Sequence, residues 1–199
     1  MSEMVHALAG HTQPGIFGTL GESGPAATLT EVRPAAVLQV GAWPQTRADV
    51  ESTLTSFLGL SVPQAFGMSS GDETTTVMTL GPGRYMIVSV DTGIREGLKE
   101  QLDAEKAAIT DLGHARTVFR ISGPAATKVL RKGLTLDLDP GAFPERAVAQ
   151  TAIHHIGTLV HRREPEVFDL FVFRGFALSF WEWLTDASLE YGYRVADPL

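Results

Sequence analysis

One succession of signals constrains this chain more than any other: strand, helix, hairpin, helix over residues 115–191, and the same order more loosely over 35–107, an offset of about eighty positions. In the later copy, Thr117-Val118-Phe119-Arg120-Ile121 alternates in polarity and is rich in β-branched and aromatic residues, which suits a half-buried strand. Ser122-Gly123-Pro124 then places an N-cap candidate ahead of a proline, so a helix is predicted over 125–132 with Val129 and Leu130 on its inner side. Arg131 and Lys132 put cations in its last turn, and Gly133 offers a left-handed cap. Residues 134–146 contain Pro140, Gly141 and Pro144 and read as an ordered loop. Extended runs resume at 148–155, 159–162 and 167–173, the first two about Gly157. A final helix over 176–191 has Phe180, Leu184, Ala187 and Tyr191 at helical spacing. Trp181 and Trp183 lie about 200° apart on such a helix, so one of them is expected to face away from the core and mark a subunit contact.

The earlier copy begins with a strand over 35–42, ended by Trp43-Pro44. Thr46 offers an N-cap with Asp49 as a weak capping box, and a helix follows over 47–58, closed by Gly59. Residues 74–80 and 84–90 form a hairpin about Gly81-Pro82-Gly83. Ile94, Leu98 and Leu102 indicate a helix over 92–107 that tolerates Gly97. Val37 then corresponds to Val118 and Tyr85 to Phe168. Residues 1–33 hold prolines, glycines and scattered apolar residues without a period and read as an extended N-terminal arm, whose Ile16, Phe17, Leu20 and Leu29 are available to a partner's surface. The expectation is an α+β fold of two related β-α-β-β-α halves, 35–107 and 115–191, within a domain 34–199 preceded by that arm.

Composition removes several classes of function. The formal charge is −7, and the 16 Lys and Arg residues form no long run, which argues against a grip on nucleic-acid phosphates. With no cysteine there is no disulfide framework, thiolate metal site or cysteine nucleophile. No apolar run approaches the roughly 20 residues of a bilayer span, and the N-terminus lacks a secretory pattern, so a cytoplasmic protein is expected.

Two sets of motifs carry a resemblance. Thr110-Asp111-Leu112-Gly113-His114, followed by Arg120-Ile121-Ser122-Gly123-Pro124-Ala125-Ala126, resembles the folate-binding aminomethyltransferase superfamily. Within it, Leu136-Asp137-Leu138-Asp139-Pro140, Phe143-Pro144, Ala149-Gln150-Thr151, His154-His155-Ile156 and Phe180-Trp181-Glu182-Trp183-Leu184 resemble the gamma subunits of heterotetrameric sarcosine oxidase. The resemblance implies a small subunit assembled with alpha, beta and delta subunits. FAD, FMN, NAD and tetrahydrofolate would then sit on those partners, and the complex would demethylate sarcosine oxidatively.

The folate enzymes place an acid on a strand of the second half; here that stretch is His155-Ile156-Gly157-Thr158-Leu159-Val160-His161, with no carboxylate. None of Thr158, Leu159 and Val160 can take a proton near neutral pH. His154, His155 and His161 are the natural metal candidates, but adjacent strand residues point to opposite faces, which argues against a shared ion. Asp111 and His114 would need a pocket to act as an acid-base pair. Gly81 and Gly83 lack the third glycine and the helix of a dinucleotide loop. The aromatic set Phe176, Phe180, Trp181, Trp183, Tyr191 and Tyr193 reads as packing rather than a cofactor box. No residue of this chain is therefore expected to be catalytic, to bind a cofactor or to ligate a metal. The alternatives are a stand-alone folate-dependent one-carbon transferase or folate-binding regulator using His114 or Asp111, and a scaffold unconnected with amine oxidation.

Overall fold

The structure, a computed structural model, describes residues 6–199, which form two compact units. Unit 1 takes residues 6–33, 115–145 and 150–199; unit 2 takes 34–114 and 146–149.

Unit 2 is a five-stranded antiparallel sheet in the order β4-β5-β6-β3-β7, from β3 (Ala36–Ala42), β4 (Met68–Gly71), β5 (Thr75–Gly81), β6 (Arg84–Ser89) and β7 (Ala107–Asp111). Helices α1 (Arg47–Leu58) and α2 (Ile94–Gln101) bury Val50, Leu54, Ile94 and Leu98 against Leu38, Val40, Val77, Tyr85 and Ile87. Gly59 closes α1 in the left-handed conformation, φ 66°, bonding to Thr55 O as its position predicts. Thr46 stands at the N-cap without capping: its hydroxyl donates instead to Lys106 O at 2.6 Å. The helix expected to run to 107 stops at Gln101. Leu102 is extended, and Asp103 accepts the Glu105 and Lys106 amides at 3.1 Å, a side-chain turn that competes with the helix and releases 107–111 into β7.

Unit 1 is a seven-stranded sheet in the order β1-β12-β2-β8-β11-β10-β9. Its strands are β1 (Gly15–Phe17), β2 (Ala27–Val32), β8 (Arg116–Ser122), β9 (Val148–Ile153), β10 (Ile156–Glu164), β11 (Val167–Phe173) and β12 (Tyr193–Val195). Register sets Leu29, Ile121 and Phe168 in one row and Phe119, Leu170 and Val160 in the next. Helices α3 (Ala126–Leu130) and α4 (Ala177–Ser188) lie on this face: Phe119 stacks on Phe180 at 5.3 Å and on Trp181 at 5.7 Å. Hairpins β5-β6 and β10-β11 each carry a register shift beside the turn.

Both units run in one order, β3-α1-β4-β5-β6-α2-β7 and β8-α3-β9-β10-β11-α4-β12. The stretch read as an arm departs from that reading. It supplies β2, inserted between β8 and β12, and the edge strand β1. The alternation of β2 is hidden because Glu31 sits at an inward position, buried and bonded to Arg33 at 2.6 and 3.0 Å. β1 is three residues long and pairs with the far end of the chain, which no local pattern reveals. Gly133 is not a left-handed cap either. A Cβ there would meet the Trp183 ring at 2.7 Å, so the glycine provides room, not a backbone turn.

Candidate functional site

The stretch expected to lack an acid is the start of β10, with Thr158, Leu159 and Val160 buried. Its cross-strand neighbour supplies the carboxylate that matters locally: Asp169 pairs in register with His161 on one side and Arg120 on the other. Arg120 grips it with Nε at 2.7 Å and Nη2 at 2.9 Å, and Arg163 adds a longer contact at 3.4 Å. Burial pulls the Arg120 guanidinium down, but its bonds to Asp169 outweigh that and leave it raised. Burial pushes the His161 imidazole down to about 4, despite the nearby carboxylate, so it is neutral at pH 7. The cluster is an ion pair fixed beside a neutral histidine.

Arg162, also buried, was missed by sequence reasoning. Its Nη1 donates to Leu138 O and Phe143 O at 3.2 and 2.6 Å, and its Nη2 to Pro165 O at 2.7 Å. One guanidinium fork thereby orders the proline-rich loop 134–146. An arginine within an apolar strand, downstream of such a loop, is the only signal the sequence offered.

The two adjacent histidines do not lie on a strand. They form the two-residue loop between β9 and β10, and His154 holds φ 52°, so the opposite-face argument made from an extended 148–155 fails. Both imidazoles line a pocket of about 280 Å³ with Ile153, Ile156, Phe180 and Trp183. The Trp183 ring meets His154 edge-on at 5.6 Å. His161 is elsewhere on the sheet, and no group of three potential metal ligands occurs among the described residues.

Elsewhere, Asp111 accepts the Gly113 amide and Arg95 Nη1, each at 2.8 Å, and these partners hold its carboxyl below the usual range. His114 is exposed. Gly81 and Gly83 bracket the β5-β6 turn, with Gly83 at φ 64°.

The aromatic set divides. Phe180 and Trp181 are core, Trp183 is half-buried, and Tyr193 stacks on Phe17 at 5.4 Å. Neither tryptophan of the pair is exposed: Trp183, the more accessible, packs against Phe180, His154 and Gly133, so the expected outward indole is not found. A groove of about 360 Å³ opens between β1, β12 and α4, lined by Phe17, Leu178, Trp181 and Tyr193. Ile16, Phe17, Leu20, Leu178 and Leu189 are exposed around it. Exposed apolar surface of this kind serves contact rather than catalysis. Leu29, grouped with these residues in the sequence reading, is fully buried in β2.

Two mixed units of common element order define a class: proteins folded like the aminomethyltransferases. Aminomethyltransferase T of the glycine cleavage system from Bartonella henselae has this fold at TM-score 0.62 and 14% identity, matching 93% of this chain and 55% of that one. The chain belongs to the sarcosine oxidase gamma subunit family, whose family model matches residues 44–190. It is 31% identical to sarcosine oxidase subunit gamma from an Arthrobacter species over 86% of this chain and 84% of the relative. Against subunit gamma from Corynebacterium sp. strain U-96 the identity is 29%, over 83% and 81%. A chain of the heterotetrameric sarcosine oxidase from that strain, solved with pyrrole 2-carboxylate, superposes at TM-score 0.77 with 28% identity, covering 86% of this chain and 87% of the other. Among the described residues no helix is long and apolar enough to cross a membrane.

Proposed function

We propose that this chain is the gamma subunit of a heterotetrameric sarcosine oxidase and acts by supporting the assembly of the flavoenzyme. The observation that carries the reading is similarity in sequence and fold along most of both chains to a subunit of such a complex. The alpha, beta and delta subunits are the partners, and they carry FAD, FMN, NAD and tetrahydrofolate. The complex oxidises the N-methyl group of sarcosine with oxygen, giving glycine, hydrogen peroxide and a one-carbon unit released as formaldehyde or passed on as 5,10-methylenetetrahydrofolate. It does so in the cytoplasm. No residue of this chain carries the chemistry, a reading supported by the engagement of Asp169 and Asp111 in ion pairs. The common element order supports taking 35–107 and 115–191 as copies of one ancestral half.

The test is coexpression of the tagged chain with its chromosomal neighbours, followed by size-exclusion chromatography with absorbance recorded from 300 to 550 nm. Coelution with yellow, flavin-absorbing subunits is expected. A colourless species of the chain's own 21.4 kDa would overturn the assignment.

A further inference from the structure

We propose that the free edge of β1 is a strand-addition site on which a larger subunit lays an extended apolar segment, an inference that rests on the subunit role above. β1 ends the seven-stranded sheet and, among the described residues, pairs only with β12. In an antiparallel pair, alternate residues exchange both backbone bonds with the neighbour, while those between them point N–H and C=O away. At least one of Gly15, Ile16 and Phe17 therefore presents its backbone donor and acceptor outward. Such an edge is complementary to another strand and to little else.

The remaining sheet edges are covered or charged. Leu134 bridges β9 at Ile153, and Ala147 bridges β4 at Met68. β7 follows Glu105 and Lys106 and ends in Asp111, ion-paired to Arg95. Cover and charge are how sheets keep edges from pairing. Among the described residues β1 has neither: residues 6–21 contain no Asp, Glu, Lys or Arg, and Ile16 and Leu20 are about half exposed, at 48% and 52%. Pro14 stops the strand at its N-terminal end but leaves 15–17 open.

This edge is held in place rather than frayed. Phe17 stacks on Tyr193, and Thr19 N–H donates to Leu189 O at 2.8 Å, so an incoming strand meets a preformed template. The groove beside it, lined by Phe17, Leu178, Trp181 and Tyr193 together with Glu182 and Thr185, takes a side chain from that strand. A second copy of this chain is a poor occupant. Three residues of edge fall far short of the roughly 1,200 Å² that a stable interface buries, whereas a large subunit can add the edge to a broader contact.

The experiment compares amide hydrogen exchange over residues 12–20 in the lone chain and in the coexpressed complex, and repeats the coelution with Ile16→Lys and Ile16→Val. Exchange at 15–18 is expected to slow by about tenfold or more on assembly, with Ile16→Lys weakening coelution by a similar factor and Ile16→Val leaving it intact. The thermal midpoint of lone Ile16→Lys should match wild type, since the side chain is exposed. If wild type assembles with unprotected 15–18, or Ile16→Lys coelutes as well as wild type, the edge is not the contact. Protection in a homodimer of the lone chain would assign the edge to a second copy and overturn the proposal. Failure of wild type to coelute at all would instead remove the subunit role on which it rests.

Discussion

At Arg162 one side chain satisfies three carbonyls from two loops, so its loss is felt as unpaired backbone and not merely as a missing charge. Arg162→Lys keeps the charge but cannot fork. We expect it to cost about 2–4 kcal/mol in urea unfolding, with loop 134–146 becoming sensitive to protease. His161 makes a prediction in pH. Its folded pKa is depressed to about 4 by burial, so the unfolded chain binds a proton below about 6.5 that the folded chain refuses. The stability it contributes is full above pH 6.5 and is lost as pH falls towards 4, to a total of about 3 kcal/mol. His161→Gln should flatten the stability profile across that window; an unchanged slope would show that the histidine does not control it. The lowered carboxylates Glu51, Asp72, Glu96, Asp111 and Glu190 lose their contribution in the same direction from about pH 5 downward, so the histidine is read in the upper part of the window, between about pH 6.5 and 5. In unit 2, Tyr85 donates to Glu51 at 2.5 Å and is pushed up to about 12 by burial and that carboxylate.

At the scale of elements, β1 is fixed to the end of α4 through Gly18. Its φ of +82° suits glycine, and a Cβ there would lie 2.9 Å from Leu189 Cα, against backbone that cannot turn aside. Gly18→Ala should therefore cost more than the usual left-handed penalty of about 1 kcal/mol, and hydrogen exchange should show β1 detached while β8 and β11 stay protected. The two tryptophans of α4 separate in the same way. Trp181 is buried against Phe119, so Trp181→Ala is expected to cost about 3–5 kcal/mol in the lone chain. Trp183 is half-buried over Gly133 and His154, and Trp183→Ala should cost clearly less in chemical denaturation. The helix itself was legible, because Phe180, Leu184 and Ala187 repeat at its period. Which tryptophan is the more deeply buried was not, since that depends on Phe119 from another element.

For the whole molecule, stability should depend on company. A partner that binds only the folded chain raises its apparent stability by mass action, so the midpoint of the assembled chain should exceed that of the lone chain and fall on dilution. An identical midpoint in both, by a scanning fluorescence melt, would mean that assembly contributes nothing to the fold. The exposed Ile16, Leu20, Leu178 and Leu189 are the surface on which that linkage would be read.

The chain by itself determined the strand, helix, hairpin, helix succession of both halves but not β4, β7 or β12, along with the hairpin about Gly81-Pro82-Gly83, the Gly59 cap and the loop 134–146, because periodicity, turn residues and caps act between near neighbours. It also carried the family, through motifs spread over its last ninety residues. Tertiary structure alone decided the rest. β1 and β12 exist because two ends of the chain meet; β2 exists because a buried Glu31 finds Arg33 and a place between two strands. His154 and His155 share a pocket because a tight loop, not a strand, holds them. Asp169 is held in an ion pair because Arg120 reaches it across the ladder. The strand pairings and the Arg120-Asp169 contact depend on residues far apart in sequence, where pairing energy outweighs local preference.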